Sequence, residues 1–177
     1  MAMRFFHAKQ SDIVYIRTPK TAGTTMQKYF LMRYEREHIK AYPRLTSWSV
    51  GKSKKFMVVR NPWDRAVSHY EHLRRTVNFY KNITFAEHCK EIGGFNLRRI
   101  TDNFIKINEL DFYIRFEDLD KEVNEKLYKG SGHTLVKERL QVSPREHKNY
   151  RDYYDQETID LVANLNKDVI DTIGYDF

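Results

Sequence analysis

The chain has 177 residues, 41% apolar and 14% aromatic, with a formal net charge of +7 at neutral pH. That length predicts one domain over 1–177, able to bury around 70% of the unfolded chain's surface, and the surplus of cations steers anionic partners toward it. The lone cysteine, Cys89, excludes an internal disulfide and a cysteine-built zinc site and suits a reducing compartment.

Residues 1–10 lack the apolar run of about seven residues that a secretory leader needs. No apolar stretch reaches the length of about 18 residues required to span a bilayer. These features predict a cytoplasmic protein without membrane insertion. Along the chain, Ile13-Val14-Tyr15-Ile16 is an apolar run without helical period and predicts a buried strand over 12–17. Pro19 ends it, Gly23 offers backbone freedom in the turn, and a helix is expected over 24–35 with Met26, Tyr29 and Phe30 on one face. Between them stand Lys20, Thr21, Ala22, Gly23, Thr24 and Thr25. A cation, three hydroxyls and the open amides of a helix start make an anion cradle.

The same design returns at Phe56-Met57-Val58-Val59, a second predicted strand over 55–60. Asn61 suits an N-cap and Pro62 the first turn of a helix expected over 62–80. Arg60 stands at the strand's end, and Arg65 and Ser68, three apart, share a helix side, so a guanidinium fork and a hydroxyl are offered to a phosphate. The two segments together look like two halves of a site for a doubly phosphorylated nucleotide. Farther along, Thr84-Phe85-Ala86-Glu87 has the form of a capping box opening a helix to about Ile92, stopped by Gly93-Gly94. A weaker helix is expected over 96–107, then a strand over 111–115 and a helix over 119–128; residues 133–149 carry no clear pattern. Asp155 caps a last helix to Ile173, with Val162, Leu165, Val169 and Ile173 on its apolar face and Gly174 just beyond its end. Strands alternating with helices predict an α/β fold whose sheet binds ligands at the strands' carboxyl ends.

The two phosphate segments, in this order and about 40 residues apart, resemble the sulfotransferase superfamily, and the carbohydrate-type "family 2" branch in particular. Lys20 to Thr25 is similar to that superfamily's 5′-phosphosulfate loop, and Arg60-Asn61-Pro62-Trp63-Asp64-Arg65-Ala66-Val67-Ser68 to its 3′-phosphate motif. Arg115-Phe116-Glu117-Asp118-Leu119 matches the R-[FY]-E-[DN]-L signature, and the stretch from Tyr150 to Phe177 resembles the superfamily's C-terminus. The resemblance implies a P-loop-like three-layer fold with a small, mostly parallel sheet flanked by helices. It implies a sulfotransferase that moves a sulfuryl group from 3′-phosphoadenosine 5′-phosphosulfate (PAPS) to an acceptor hydroxyl, releasing 3′,5′-bisphosphoadenosine (PAP), without a metal. The basic charge tilts the acceptor slightly toward an acidic glycan, with a lipid-linked sugar, a polyketide and a peptide tyrosine left open.

Sulfuryl transfer asks of a protein what phosphoryl transfer does: in-line positioning and neutralisation of the leaving oxygen. Lys20 is the candidate for that cation. Lys20 to Thr25, Arg60 and Ser68 are the expected donor-binding residues, with Arg151 returning from the C-terminal part to the 3′-phosphate. The acceptor hydroxyl needs a base. His38 ranks first because related enzymes carry a His in that interval, while His69, His72 and the carboxylate of Glu71 stay open. Trp63 reads as core. Two other classes fit the charge. A nucleotide or small-molecule kinase would need a Walker A loop, and G-x-x-x-x-G-K-[ST] occurs nowhere. A nucleic-acid-binding module would need a basic stripe, whereas the cations here are interleaved with acids.

Overall fold

The computed structural model describes residues 13–16, 18–26, 39–42, 54–93, 107–127, 145–146 and 149–177. All but the last residue of the helix expected over 96–107, most of the patternless stretch at 133–149 and the candidate base His38 lie outside them. Among the described residues, four strands form one parallel sheet: β1 (Ile13–Ile16), β2 (Ile39–Tyr42), β3 (Lys54–Val59) and β4 (Phe112–Arg115), in the order β2-β1-β3-β4. The α-helices among the described residues are α1, opening at 23 and described to 26, α2 (Pro62–Thr76), α3 (Phe85–Glu87), α4 (Leu119–Leu127), α5 (Gln156–Leu165) and α6 (Lys167–Ile173).

The period-two geometry of β3 divides the core between the sheet's two faces. Phe56 and Val58 join Tyr15, Met26, Ile114, Leu119 and Val123 on the side of α1 and α4. Met57 and Val59 join Trp63, Ala66, Val67, Tyr70, Val162, Val169 and Ile173 on the side of α2, α5 and α6. The result is three layers. Within the first core the register partners Tyr15, Phe56 and Phe112 stack in series, with centroids 5.2 and 5.0 Å apart.

Strand order fixes where a ligand fits. The chain leaves β1 for β2 on one side of it, then crosses back to place β3 on the other. The helices after β1 and β3 cover opposite faces. The carboxyl ends of β1 and β3 therefore flank a topological switch point, where open α/β sheets hold their ligands.

Four elements depart from expectation. β2 was not foreseen: four residues at the sheet edge carry too little pattern to declare a strand, which forms by pairing with β1. α2 ends at Thr76 rather than continuing to 80. Val77 is extended, and a 3₁₀ turn, Asn78–Asn82, buries Tyr80; β-branched Thr76 and Val77 followed by Asn78 weaken further helix. The last helix is broken at Asn166, whose buried amide donates to the Val162 carbonyl at 2.8 Å and competes with the backbone ladder. The capping box at Thr84 is present, but α3 lasts one turn before widening into a π-helical segment, His88–Gly93. Gly174 takes the left-handed cap, φ 74°.

Candidate functional site

The turn after β1 is built against backbone preference. Lys20 and Ala22 have φ of 64° and 57°, in the left-handed region that side chains disfavour, while Gly23 is already the first residue of α1. Local hydrogen bonds hold the shape. The Thr21 hydroxyl donates to the Thr18 carbonyl at 2.9 Å and lies 2.8 Å from the Thr18 hydroxyl, which reaches the Val58 carbonyl on β3 at 3.3 Å. A turn with left-handed residues presents successive amides as a concave nest for an anion. Thr21, Gly23 and Thr25 are buried and Ala22 and Thr24 half-buried, so this part of the predicted set is largely the floor of the turn.

The second turn grips the first. Arg60, buried at the end of β3, donates through Nη1 to the Lys20 carbonyl at 2.9 Å and through Nε to Asp64 Oδ2 at 2.6 Å. Its guanidinium packs 4.2 Å over the Phe116 ring. Asp64 holds a second guanidinium, Arg145 Nη2, at 2.6 Å on its other oxygen. Asn61 caps α2, accepting from the amides of Trp63 and Asp64 at 3.1 and 3.2 Å. Glu117 braces the same corner, with one oxygen on the Asn61 amide at 2.7 Å and the other on the Tyr175 hydroxyl at 2.9 Å. The Arg115–Leu119 signature thus supports the second turn, a role that its sequence did not suggest.

Along α2, Arg65, Ser68, His69, His72 and Arg75 follow at helical spacing, with Arg65 and Ser68 buried and Arg75 exposed. This stripe and the Lys20 turn share one positive field. Burial first, then the charges of Arg60, Arg75 and Arg145, bring the Lys20 ammonium down to about 8. Burial and the charges of Arg65, Lys20 and His72 hold the His69 imidazole at about 4, so it is neutral at physiological pH. His72 is lowered by burial, then by Lys20 and Arg75. Mutual repulsion among clustered cations increases the gain from binding an anion there. Arg75 and Arg145 were missed by the sequence reading. Arg75 was legible as the next step of the α2 stripe, whereas Arg145 joins only through tertiary structure.

The other candidates fall elsewhere. Arg151 is exposed and stacks over Tyr150 and Phe177, at 4.8 and 5.6 Å, near the start of α2. Glu71 is buried and engaged, accepting from the Tyr153 hydroxyl at 2.7 Å with Arg74 3.6 Å away. Trp63 is core, its indole N–H on the Ile159 carbonyl at 3.1 Å. His88 is fully buried behind His69, with ring centroids 5.3 Å apart and its Nδ1 2.7 Å from the Tyr80 hydroxyl. Among the described residues no helix is long and apolar enough to cross a membrane.

The chain matches no curated protein sequence. Solved structures do resemble it. A mouse sulfotransferase, SULT7A1, complexed with PAP superposes with a TM-score of 0.59 at 12% identity, over 96% of this chain and 87% of that one. A sulfotransferase from Alicyclobacillus acidocaldarius superposes with a TM-score of 0.50 at 14% identity, over 96% and 98%. Both share the P-loop-like α/β fold found here. The model of the Sulfotransferase family designated Sulfotransfer_2 matches residues 3–127, which takes in both turns and β4, and the chain belongs to that family.

Proposed function

We propose that this protein transfers a sulfuryl group from PAPS to a hydroxyl of a glycan acceptor and releases PAP. The observation that carries this reading is the 2.9 Å bond from Arg60 Nη1 to the Lys20 carbonyl, which joins two phosphate-type turns at the sheet's switch point. The mouse sulfotransferase seen with PAP supports the same donor. Lys20, Thr21, Ala22, Gly23, Thr24 and Thr25 form the 5′-phosphosulfate turn through backbone and side chains. Arg60 and Ser68 take the 3′-phosphate, with Arg151 at its outer edge.

Chemically, the acceptor oxygen attacks sulfur as the bond from sulfur to the 5′-phosphate oxygen breaks. Charge grows on that leaving oxygen, and the Lys20 ammonium neutralises it. The acceptor's proton passes to a base, for which His38 is our assignment, from the resemblance. The basic surface favours an acidic glycan. A single domain and a cytoplasmic setting complete the reading; the latter is supported by the buried, unpaired Cys89.

The test is transfer of labelled sulfate from PAPS to a panel of hydroxylated acceptors by wild type, Lys20→Ala and His38→Ala. Lys20→Ala should lose about 10²–10³-fold in turnover and His38→Ala about 10²–10⁴-fold with donor affinity nearly unchanged. Wild-type turnover in Lys20→Ala at saturating donor would remove the leaving-group role. Near-normal turnover in His38→Ala would move the base to His69, His72 or Glu71.

A further inference from the structure

Arg65 is the one cation of the α2 stripe that is wholly interior. Its residue is 6% exposed, and its Nη2 is buried with no hydrogen-bond partner. The carboxylates of α2, and Glu117 at the corner after β4, are already committed. Both oxygens of Asp64 hold guanidinium groups, Arg60 on Oδ2 and Arg145 on Oδ1. Glu71 is taken by Tyr153 and Arg74, and Glu117 by the Asn61 amide and Tyr175. Among the described residues Arg65 forms no ion pair. Its neighbours add to the strain: burial, then the charge of Arg60, lowers the guanidinium to about 10, still protonated at neutral pH.

A buried charge without a counter-ion destabilises the fold that contains it, and replacing such a group by an apolar one of like size is commonly neutral or stabilising. A fold retains that penalty where an anion completes the site. One helical turn separates Arg65 from Ser68; Arg65 feels the charge of Arg60 on one side, and His69 feels the charge of Arg65 on the other. The anion it faces is therefore the one held by Arg60 and Ser68. Resting on the PAPS reading above, we propose that Arg65 is an interior third ligand of the donor's 3′-phosphate, left uncompensated in the free protein and neutralised when the nucleotide binds.

The free-state penalty and the bound-state gain have opposite signs, so stability and affinity should move in opposite directions on substitution. In Arg65→Met the melting temperature without nucleotide should stay level or rise. Its affinity for PAP should fall about ten- to a hundred-fold, the range for a lost charged hydrogen bond. Its affinity for adenosine 5′-phosphate, which lacks the 3′-phosphate, should be unchanged. Arg65→Lys, which keeps the charge without the fork, should lie between wild type and Arg65→Met in PAP affinity. Three results would overturn the proposal: an Arg65→Met protein that melts well below wild type or fails to fold, which marks a structural guanidinium; unchanged PAP affinity; or equal losses for PAP and adenosine 5′-phosphate. Wild-type protein that binds neither nucleotide would instead refute the donor reading and is read from the same titrations.

Discussion

Lys20 occupies a left-handed turn with its ammonium in the field of Arg60, Arg75 and Arg145, and these facts set its chemistry. A lysine held at about 8 when folded and near 10.5 when unfolded makes the folded state the weaker proton binder between those values. Stability of the free protein should therefore rise as pH climbs from 8 toward 10.5, because the unfolded chain holds the extra proton there. Function should run the other way. If the charged ammonium is needed, kcat/KM falls as pH rises through about 8, the free-enzyme value. A bound polyanion restabilises the cation, so the matching limb in kcat should lie at higher pH. A pH–rate profile resolves this: a limb near 8 that survives in Lys20→Arg would belong to another group.

At the scale of elements, the site depends on how firmly α2 is seated at the end of β3. Asn61 supplies two bonds to α2 amides and a third, from its Nδ2 to the Asp176 carbonyl at 2.9 Å. Asn61→Ala should cost about 1–2 kcal/mol as a lost cap, lowering Tm by about 2–4 °C per kcal/mol in a chain of this size. An unchanged melt would mean that Glu117 alone seats the helix.

The interior of α2 against the π segment predicts acid sensitivity. His88 packs among His69, Tyr70, Tyr80 and Phe85, and burial, then the charge of His69, holds it at about 3. The unfolded chain takes up this proton near pH 6.5 and the folded one does not, so stability present above 6.5 drains away as pH falls toward 3. His69 acts with the same sign. His88→Leu should be less stable at pH 7, because Tyr80 loses its partner, yet lose less on acidification. Thermal melts at pH 7 and 4.5 compare the two slopes, and equal slopes would exonerate His88.

These elements also show what a sequence can carry. β1 and β3 were legible because strands buried on both faces are unbroken apolar runs, and the turns after them because cations and hydroxyls crowd a helix start. Edge strand β2 and the break at Asn166 depend on pairing and burial that no local pattern encodes. The left-handed positions fell on Lys20 and Ala22, not on the permissive Gly23, because hydrogen bonds from Thr18, Thr21 and Arg60 over-determine them. Arg145 reaches Asp64 from 81 positions along the chain, beyond any motif.

Across the whole molecule, charge and topology point to one place. Among the described residues, the charges of Arg60, Arg75 and Arg145 converge on Lys20, where the carboxyl ends of β1 and β3 meet. The C-terminal residues close over the start of α2: Phe177 lies edge-on to Trp63 and Tyr154 at 5.6 and 5.3 Å, and Tyr175 reaches Glu117. The last residues of the chain therefore help to hold the second turn, although they lie more than 100 positions from it. In the proposed function, two joined phosphate turns rather than one Walker-type loop distinguish this site from that of a kinase. The measurement that addresses this most directly is a calorimetric titration of the wild-type protein with PAP and with ATP at equal ionic strength. A bisphosphate site predicts clear preference for PAP, by at least about tenfold, the value of one charged hydrogen bond to the 3′-phosphate. Equal affinity, or tighter binding of ATP, would contradict it.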